Sequence, residues 1–218
     1  MNRYSSFLKK IVYAAGLRDQ LSLAFRFAFV LLVGIVGFPI FASTAFAYNR
    51  SAAVAYADKW ALSNDPNYLH YSEDCTGFAS EAMYAGGDQQ NRAWHGDKTS
   101  LSADWDVAPD NYFYEVNQNG AHLAETVNSS NSDYWNSYNA TLPGDLIYYD
   151  WTGDGSIDHM AFQVNAGKAA SDPNNPGWSF TGDLMDQHTT NRWHAPWNDI
   201  EYNPNYSITV IYEVSHKN

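Results

Sequence analysis

The single cysteine of this 218-residue chain, Cys75, is the residue best suited to covalent chemistry. It lies near the start of a short segment, residues 74–87, whose apolar and small residues repeat with helical spacing. The segment ends in two glycines, which commonly close a helix. A thiol in the first turn of such a helix faces unpaired N–H groups and the positive end of the helix dipole, which favour the reactive thiolate. The alternative is an inert thiol packed in the core.

A cysteine nucleophile needs a base within hydrogen-bond reach, and the seven histidines supply the candidates. His159 begins an apolar segment that follows a glycine-rich turn, so we expect it at the edge of a strand beside the cysteine helix. His188 lies near the end of the next predicted strand, where it would orient His159. A structural role is the alternative for each, and the other five histidines are expected on the surface.

The N-terminal residues have the features of a secretory signal peptide. Residues 1–26 carry five basic residues and one acidic residue, an apolar run follows over 27–42, and 45–47 is an Ala-x-Ala sequence typical of signal-peptidase sites. The apolar run is shorter than the ~20 residues that a membrane-spanning helix needs, so we expect cleavage rather than a permanent anchor. The sequence therefore predicts a signal peptide over 1–47 and one domain over 48–218, exported from a bacterial cell of the Gram-positive type.

The acidic composition excludes some partners. The whole chain carries 12 Lys and Arg against 24 Asp and Glu, and without residues 1–47 the balance is 7 against 23. A domain this acidic is a poor ligand for nucleic acids and for anionic membranes. We expect a secreted monomer without a stable membrane span. Structural cysteines of exported proteins form pairs, so the unpaired Cys75 favours a chemical role.

The order of the predicted elements indicates an α+β domain. Helical patterns come first and strand patterns afterwards, so N-terminal helices should pack on an antiparallel sheet formed by the C-terminal half. The first two predicted strands are joined by a glycine-rich loop and should form a hairpin. The predicted helices cover residues 49–61, 74–87, 111–117 and 121–127, and the predicted strands cover 145–150, 159–165, 184–189 and 207–214.

The loop of this hairpin contains oxygen-bearing side chains at alternating positions. Asp150, Thr152, Asp154 and Asp158 match the first part of a calcium-binding loop. The twelfth position, where such loops carry a bidentate Glu, is Ala161, and predicted strands rather than helices flank the loop. The pattern therefore suggests a structural Ca²⁺ site, with a tight polar hairpin turn as the alternative. We expect no other cofactor.

Four segments of the chain resemble the putative amidase domain of secreted bacterial proteins. They are Tyr-Asn-Arg-x-Ala-Ala from residue 48, Asp-Cys-Thr-x-Phe-x-Ser at 74–80, Gly-Asp-Leu-Ile-Tyr-Tyr-Asp within 144–159, and Gln-His-Thr at 187–189. They occur in the order typical of the family and cover nearly the whole domain. That family is similar to the NlpC-type and CHAP-type cysteine peptidases, which have a papain-like fold.

The resemblance implies a site and a reaction. By this resemblance Cys75 is the nucleophile, His159 the base and His188 the polar residue that orients the base. The chain differs at Gly77 and Glu81, where relatives more often carry Asn and Gln, so contacts in the groove would differ. The implied reaction is hydrolysis of an amide bond through an acyl-enzyme, with peptidoglycan or a peptide as substrate.

An acyl-enzyme mechanism also needs donors for the oxyanion. The backbone N–H of Cys75 would be one, with Tyr68 or Tyr71 as a second. Two other functions fit the same sequence. In the first, the domain is a catalytically inactive module that binds the cell wall through its aromatic residues. In the second, it is a secreted effector or toxin that acts on a non-wall protein. Thiol reactivity separates the first from an enzyme, and substrate assays identify the second.

Overall fold

The computed structural model describes residues 47–171, 177 and 179–217. These residues belong to the second of two units into which the chain divides, which covers residues 46–218. The predicted signal peptide lies outside the described residues, except for its last residue. Within the described part of the chain, no helix is long and apolar enough to cross a membrane.

Two helices form the layer that carries the cysteine, and both were expected from the sequence. Helix α1 (Arg50–Trp60) begins after Asn49, whose side chain accepts the N–H of Ala52 at 3.1 Å and so caps the helix. Helix α2 (Cys75–Ala85) is buried along its first nine residues. After it, Gly87 has a φ of +108°, the left-handed conformation in which glycine turns a chain away from a helix.

Two shorter helices follow along the chain. They are α3 (Ala103–Asp106) and α4 (Ala108–Tyr114), and α4 continues directly into a π-helical turn (Glu115–Asn119). The π-helical turn extends the helical region to Asn119 and so covers the helix predicted over 111–117.

The C-terminal half forms a six-stranded antiparallel sheet in the order β1-β6-β2-β3-β4-β5. The second and third strands form the predicted hairpin, and the C-terminal strand pairs with β1 on one side and β2 on the other. The predicted α+β class is therefore confirmed. The strands are β1 (His122–Asn128), β2 (Leu146–Asp150), β3 (His159–Ala170), β4 (Phe180–Gln187), β5 (Arg192–Pro196) and β6 (Val210–Ser215).

The sheet contains two strands that the sequence did not predict. Residues 121–127 were predicted as a helix, but strand β1 occupies this region. Gly120, with a φ of +90°, ends the preceding helical turn, and β6 offers an edge with which the segment pairs. Strand β5 has no predicted counterpart because it ends in Pro196, and proline indicates a strand only at the edge of a sheet.

The sheet is covered on both faces, which explains why β2 is buried along its whole length. Leu146 and Tyr148 belong to the core cluster that includes the apolar residues of α2. Ile147 and Tyr149 belong to a second cluster on the other face, around Trp197. Because successive side chains of a strand point to opposite faces, the position of a residue along its strand decides which cluster it joins.

Buried carboxyl groups make the stability of this domain depend on pH. Burial raises the pKa of Glu81 from 4.5 to about 8, and it raises the pKa of both Glu115 and Glu213 from 4.5 to about 7. At a pH between the ordinary pKa of each group and its raised pKa in the fold, the folded protein holds a proton that the unfolded chain has already released. The stability contributed by these groups is therefore greatest in mildly acidic solution, and it is lost as the pH rises through the folded pKa values.

We expect the melting temperature to fall by at least about 5 °C between roughly pH 5 and pH 8, since each kcal/mol is worth about 2–4 °C in a domain of this size. Burial lowers the pKa of His159, which makes stability rise with pH in this range, but three carboxyl groups outweigh one imidazole. Circular dichroism melts at several pH values measure the effect. Glu115→Gln should flatten the curve, and the exposed control Asp110→Asn should not. A melting temperature that rises with pH would contradict this account.

Candidate active site

Cys75 begins helix α2 and is buried, with 9% of its surface exposed. Its sulfur lies 3.6 Å from Oγ1 of Thr76 and also forms a hydrogen bond with the backbone of Met160 in β3. Met160 directly follows His159 in the chain. The helix therefore brings the thiol to the strand that begins with the predicted base.

His159, the first residue of β3, is held by Gln187, the last residue of β4. Nε2 of His159 lies 2.8 Å from Oε1 of Gln187. The amide nitrogen of Gln187 donates to the carbonyl of Thr190 at 3.3 Å, which orients the amide so that its oxygen faces the imidazole. An amide oxygen only accepts hydrogen bonds, so the neutral ring carries its proton on Nε2 and its lone pair on Nδ1. Nδ1 is then the nitrogen that can take a proton from a thiol.

Aromatic rings pack against this imidazole. Trp151 stacks on His159 with 5.4 Å between ring centroids, and it also stacks on Tyr149 at 4.5 Å. With these rings around it, His159 is only 4% exposed. The rings limit the rotation of the imidazole, and its burial makes the hydrogen bond to Gln187 stronger than it would be in water.

Burial sets the protonation state of both candidate groups. It raises the pKa of the Cys75 thiol, and hydrogen bonds with Thr76 and the backbone of Met160 reduce that rise. Burial lowers the pKa of His159, and the hydrogen bond with Gln187 opposes the change. At neutral pH the two groups are therefore a neutral thiol and a neutral imidazole. This arrangement suits a base that removes the thiol proton during attack, rather than a preformed ion pair.

An open cleft of about 260 Å³ is lined by His159 and Gln187. Trp151, Arg192 and Asp199 also line it, so the cleft combines an aromatic wall with charges of both signs. The lining does not include the buried Cys75. The cleft is therefore a candidate binding surface on the imidazole side of the site.

The structure does not place His188 where the predicted orienting group would lie. Its Nδ1 lies 3.0 Å from Oδ2 of Asp74, and its Nε2 lies 3.0 Å from the carbonyl oxygen of Trp60. The ring stacks on Phe78 of helix α2, with 4.2 Å between centroids. Both ring nitrogens are thus engaged away from His159, and the prediction that His188 orients the base is corrected. His188 attaches the cysteine helix to the sheet.

Gln187 is the site residue that the sequence did not reveal. The antiparallel register pairs Phe162 with Asp186. His159 lies three residues before Phe162, and Gln187 one residue after Asp186, so both lie on the face opposite to that pair. His188 lies on the other face for the same reason. The alternation of a strand is a usable signal, but it selects the residue only when the register of the two strands is known.

Asp74, immediately before the candidate nucleophile, fixes the N-terminal end of helix α2. Its carboxylate contacts His188 at 3.0 Å and Nδ1 of His70 at 3.3 Å, and its N–H donates to the hydroxyl of Thr189 at 3.1 Å. Burial raises the pKa of Asp74, but the hydrogen bonds and charges of the two histidines outweigh this and lower it overall. The ionised carboxylate therefore links the start of the helix to the turn after β4.

The two tyrosines predicted as oxyanion donors have different surroundings. Tyr71 is 55% exposed, whereas Tyr68 stacks on Trp105 with 5.8 Å between centroids. Burial raises the pKa of the Tyr68 hydroxyl, which keeps it protonated as a donor must be. Tyr68 is the better candidate of the two, and its role stays a prediction.

The loop between β2 and β3 is a tight turn organised by carboxylates. The buried carboxylate of Asp150 accepts four backbone N–H groups of the loop, at 2.6–3.2 Å. Asp154 and Asp158 each accept one further N–H of the same loop. A polar turn thus accounts for these residues. Calcium binding by Asp150, Thr152, Asp154 and Asp158 stays a prediction.

A family model described as a putative amidase domain matches residues 47–211, which include all the site residues discussed above. The chain belongs to this family. The match supports the resemblance to a putative amidase domain on which the sequence prediction rested.

Two curated proteins of Bacillus subtilis (strain 168) are also similar to this chain. The uncharacterized protein YhbB is 32% identical over 126 residues, which are 55% of this chain and 38% of YhbB. The uncharacterized protein YjcM is 27% identical over 163 residues, which are 71% of this chain and 34% of YjcM. The matched regions therefore span only about a third of each relative. No solved structure matches the chain significantly.

Replacement of His188 and Gln187 should affect stability unequally. His188→Ala removes a ring stacked on Phe78 and leaves the buried Asp74 carboxylate with one histidine partner fewer, so we expect a loss of about 3 kcal/mol in the free energy of unfolding. Gln187→Ala removes two neutral hydrogen bonds, to His159 and to Thr190, but leaves no charged group without a partner, so it should cost less, about 1–2 kcal/mol. Urea denaturation of both variants measures the difference. Equal losses would contradict the separate roles assigned to the two residues.

Nuclear magnetic resonance can test the state of His159 directly. The ¹⁵N shifts of its ring should show the proton on Nε2, and the ring should titrate below pH 6.5, since burial lowers its pKa. Gln187→Glu should raise that midpoint, because a carboxylate stabilises the imidazolium ion. The exposed His122, on β1, serves as the internal control in the same spectra. A midpoint above 6.5 in the unmodified protein would favour a thiolate–imidazolium pair instead.

Proposed function

We propose that this protein is a cysteine-dependent amidase or peptidase, with Cys75 as the nucleophile, His159 as the base and Gln187 as the residue that orients the base. The hydrogen bond between His159 and Gln187 carries the proposal, because it leaves the lone pair of the imidazole on Nδ1. Membership of the putative amidase family supports an amide bond as the substrate. His188 acts as a positioning residue for the helix that carries the thiol.

The reaction begins when the thiol of Cys75 turns away from Thr76 and gives its proton to Nδ1 of His159. The sulfur attacks the amide carbonyl, and the carbonyl oxygen takes up negative charge, which the backbone N–H of Cys75 stabilises. Breakage of the C–N bond then releases an amine, which receives its proton from the imidazolium. Water, deprotonated by Nδ1, attacks the thioester, releasing a carboxylic acid and restoring the thiol.

Gln187 contributes without gaining or losing a proton. Its amide oxygen accepts the Nε2–H bond in both the neutral and the charged state of His159, so it holds one ring orientation through the cycle. A neutral amide stabilises the imidazolium less than a carboxylate would. The base therefore keeps a low pKa, which helps it return its proton to the leaving amine.

We further propose that the substrate is an amide bond of peptidoglycan, in the wall of a Gram-positive bacterium, and that residues 1–47 direct export and are then removed. The fold would be papain-like, of the NlpC and CHAP type. The signal-like N-terminus supports export, and the aromatic wall and mixed charges of the cleft beside His159 suit a peptide with ionised ends.

The test is to incubate the protein with purified peptidoglycan and to measure new amines and fragments by mass spectrometry. Cys75→Ala should abolish release. His159→Ala should slow it by about 10²–10⁴-fold, as loss of a general base does, and Gln187→Ala by about tenfold, the value of one hydrogen bond. His122→Gln, on the exposed side of β1, is the matched histidine control and should retain full activity.

The fragment masses would identify the bond that is cut. Absence of release from folded protein, together with a Cys75 that does not react with iodoacetamide, would leave the wall-binding module as the remaining explanation. Hydrolysis of a protein amide without release from peptidoglycan would instead indicate an effector. Retention of activity in Cys75→Ala would reject the thiol mechanism.

A further inference from the structure

A second group of polar side chains lies outside the candidate active site, where helix α1 meets strands β4 and β5. It consists of Asp58 on α1, Asp186 on β4 and His194 on β5. One oxygen or nitrogen atom of each residue lies within 4.8 Å of the corresponding atoms of the other two. The sequence predicted that His194 lies on the surface. Its ring is only 20% exposed, and it belongs to this group.

Asp186 is the unusual member of the group because it is completely buried. Its Oδ1 accepts the backbone N–H of His194 at 2.7 Å. Its Oδ2 is also buried, and no hydrogen-bond donor of the described residues reaches it. The carboxyl of Asp58 lies within hydrogen-bonding distance of the Asp186 carboxyl. A buried carboxylate oxygen that faces a second carboxylate needs a shared proton or a cation to be stable.

The other two residues connect this buried oxygen to the surface. Nε2 of His194 lies 2.7 Å from Oδ1 of Asp58, and the Asp58 side chain is 38% exposed. Trp193 stacks on the His194 ring with 3.7 Å between centroids and limits its rotation. The group therefore has a buried ligand atom at its inner end and an open outer end through which an ion could enter.

We propose that Asp58, Asp186 and His194 bind a divalent transition-metal ion, with zinc as the best-matched metal. An imidazole nitrogen with two carboxylates suits Zn²⁺ or Mn²⁺, whereas Ca²⁺ and Mg²⁺ prefer oxygen ligands alone. Three protein ligands leave one position of a tetrahedral zinc ion for water. This site is distinct from the loop between β2 and β3 that the sequence suggested for calcium.

Such an ion would affect the candidate catalytic residues indirectly, by holding together the helix and the strand next to them. It would tie helix α1 to β4 at the residue directly before Gln187, which holds His159. The ion would also balance the negative charge of the two close carboxyl groups at the contact between α1 and β4. We therefore expect bound metal to raise the melting temperature, and the ion is assigned a structural and positioning role.

Zinc binding can be measured on the whole protein, without a polyhistidine tag and with Cys75→Ala so that the thiol does not bind zinc. Competition with a chromogenic chelator should give one tight site per chain. Asp186→Asn and His194→Gln should each weaken zinc binding by at least about 100-fold. Loss of a residue that only forms a hydrogen bond with a metal ligand can already lower metal affinity by that factor. Asp110→Asn, an exposed aspartate on α4, is the matched control and should bind as before.

Melting curves separate loss of the site from loss of the fold. Without metal, Asp186→Asn should melt no lower than its parent, because the amide keeps the bond to the N–H of His194 and removes a carboxyl group that lies close to Asp58. With zinc, only the parent and the control should gain stability. Mn²⁺ should give a smaller gain, and Ca²⁺ none. Absence of a tight zinc site, or zinc binding that survives Asp186→Asn and His194→Gln, would overturn the proposal. Asp186 would then be a protonated acid that shares its proton with Asp58.

Discussion

The arrangement of the candidate site depends on how the first turn of helix α2 is held against the sheet. A helix start leaves backbone N–H groups without partners, and here that end is buried. The carboxylate of Asp74 forms a hydrogen bond with His188, and the N–H of Asp74 donates to Thr189. The His188 ring stacks on Phe78 in the same helix. These contacts fix the helix at the end that carries Cys75, so the thiol meets the backbone of β3 next to the candidate base.

One strand end thus serves both halves of the candidate site. Gln187 and His188 are neighbours at the end of β4, and their side chains point to opposite faces of the sheet. His188 reaches the helix that carries Cys75 on one face, while Gln187 reaches His159, the candidate base, on the other. A shift of β4 by one residue relative to β3 would exchange the two faces and disrupt both contacts at once. The register of these strands therefore determines the geometry of the whole candidate site.

The acidic residues have a larger internal role than the net charge suggests. Several buried aspartates accept backbone N–H groups from loops and so determine loop conformation. Asp150 organises the turn between β2 and β3, and Asp145 accepts the N–H groups of Leu142 and His216. Asp183 joins a loop to the sheet, since it accepts the N–H groups of Asn139 and of Gly167 in β3. Each bond replaces the water that the carboxylate loses on burial. Where that replacement is incomplete, as at Asp186, the chain retains capacity for a cation.

The sequence by itself determined the features that depend on local pattern and chemical type: the α+β class, the two N-terminal helices, the β2–β3 hairpin, and Cys75 and His159 as the residues to consider. The tertiary structure decided the features that depend on which segments meet. Most of residues 121–127 form a strand because they pair with β6. Gln187, rather than His188, lies beside the candidate base His159. Strand alternation is visible in a sequence, but the register between strands depends on long-range packing. A polar residue can therefore be proposed for a site from its type, while its partner is known only once the register is known.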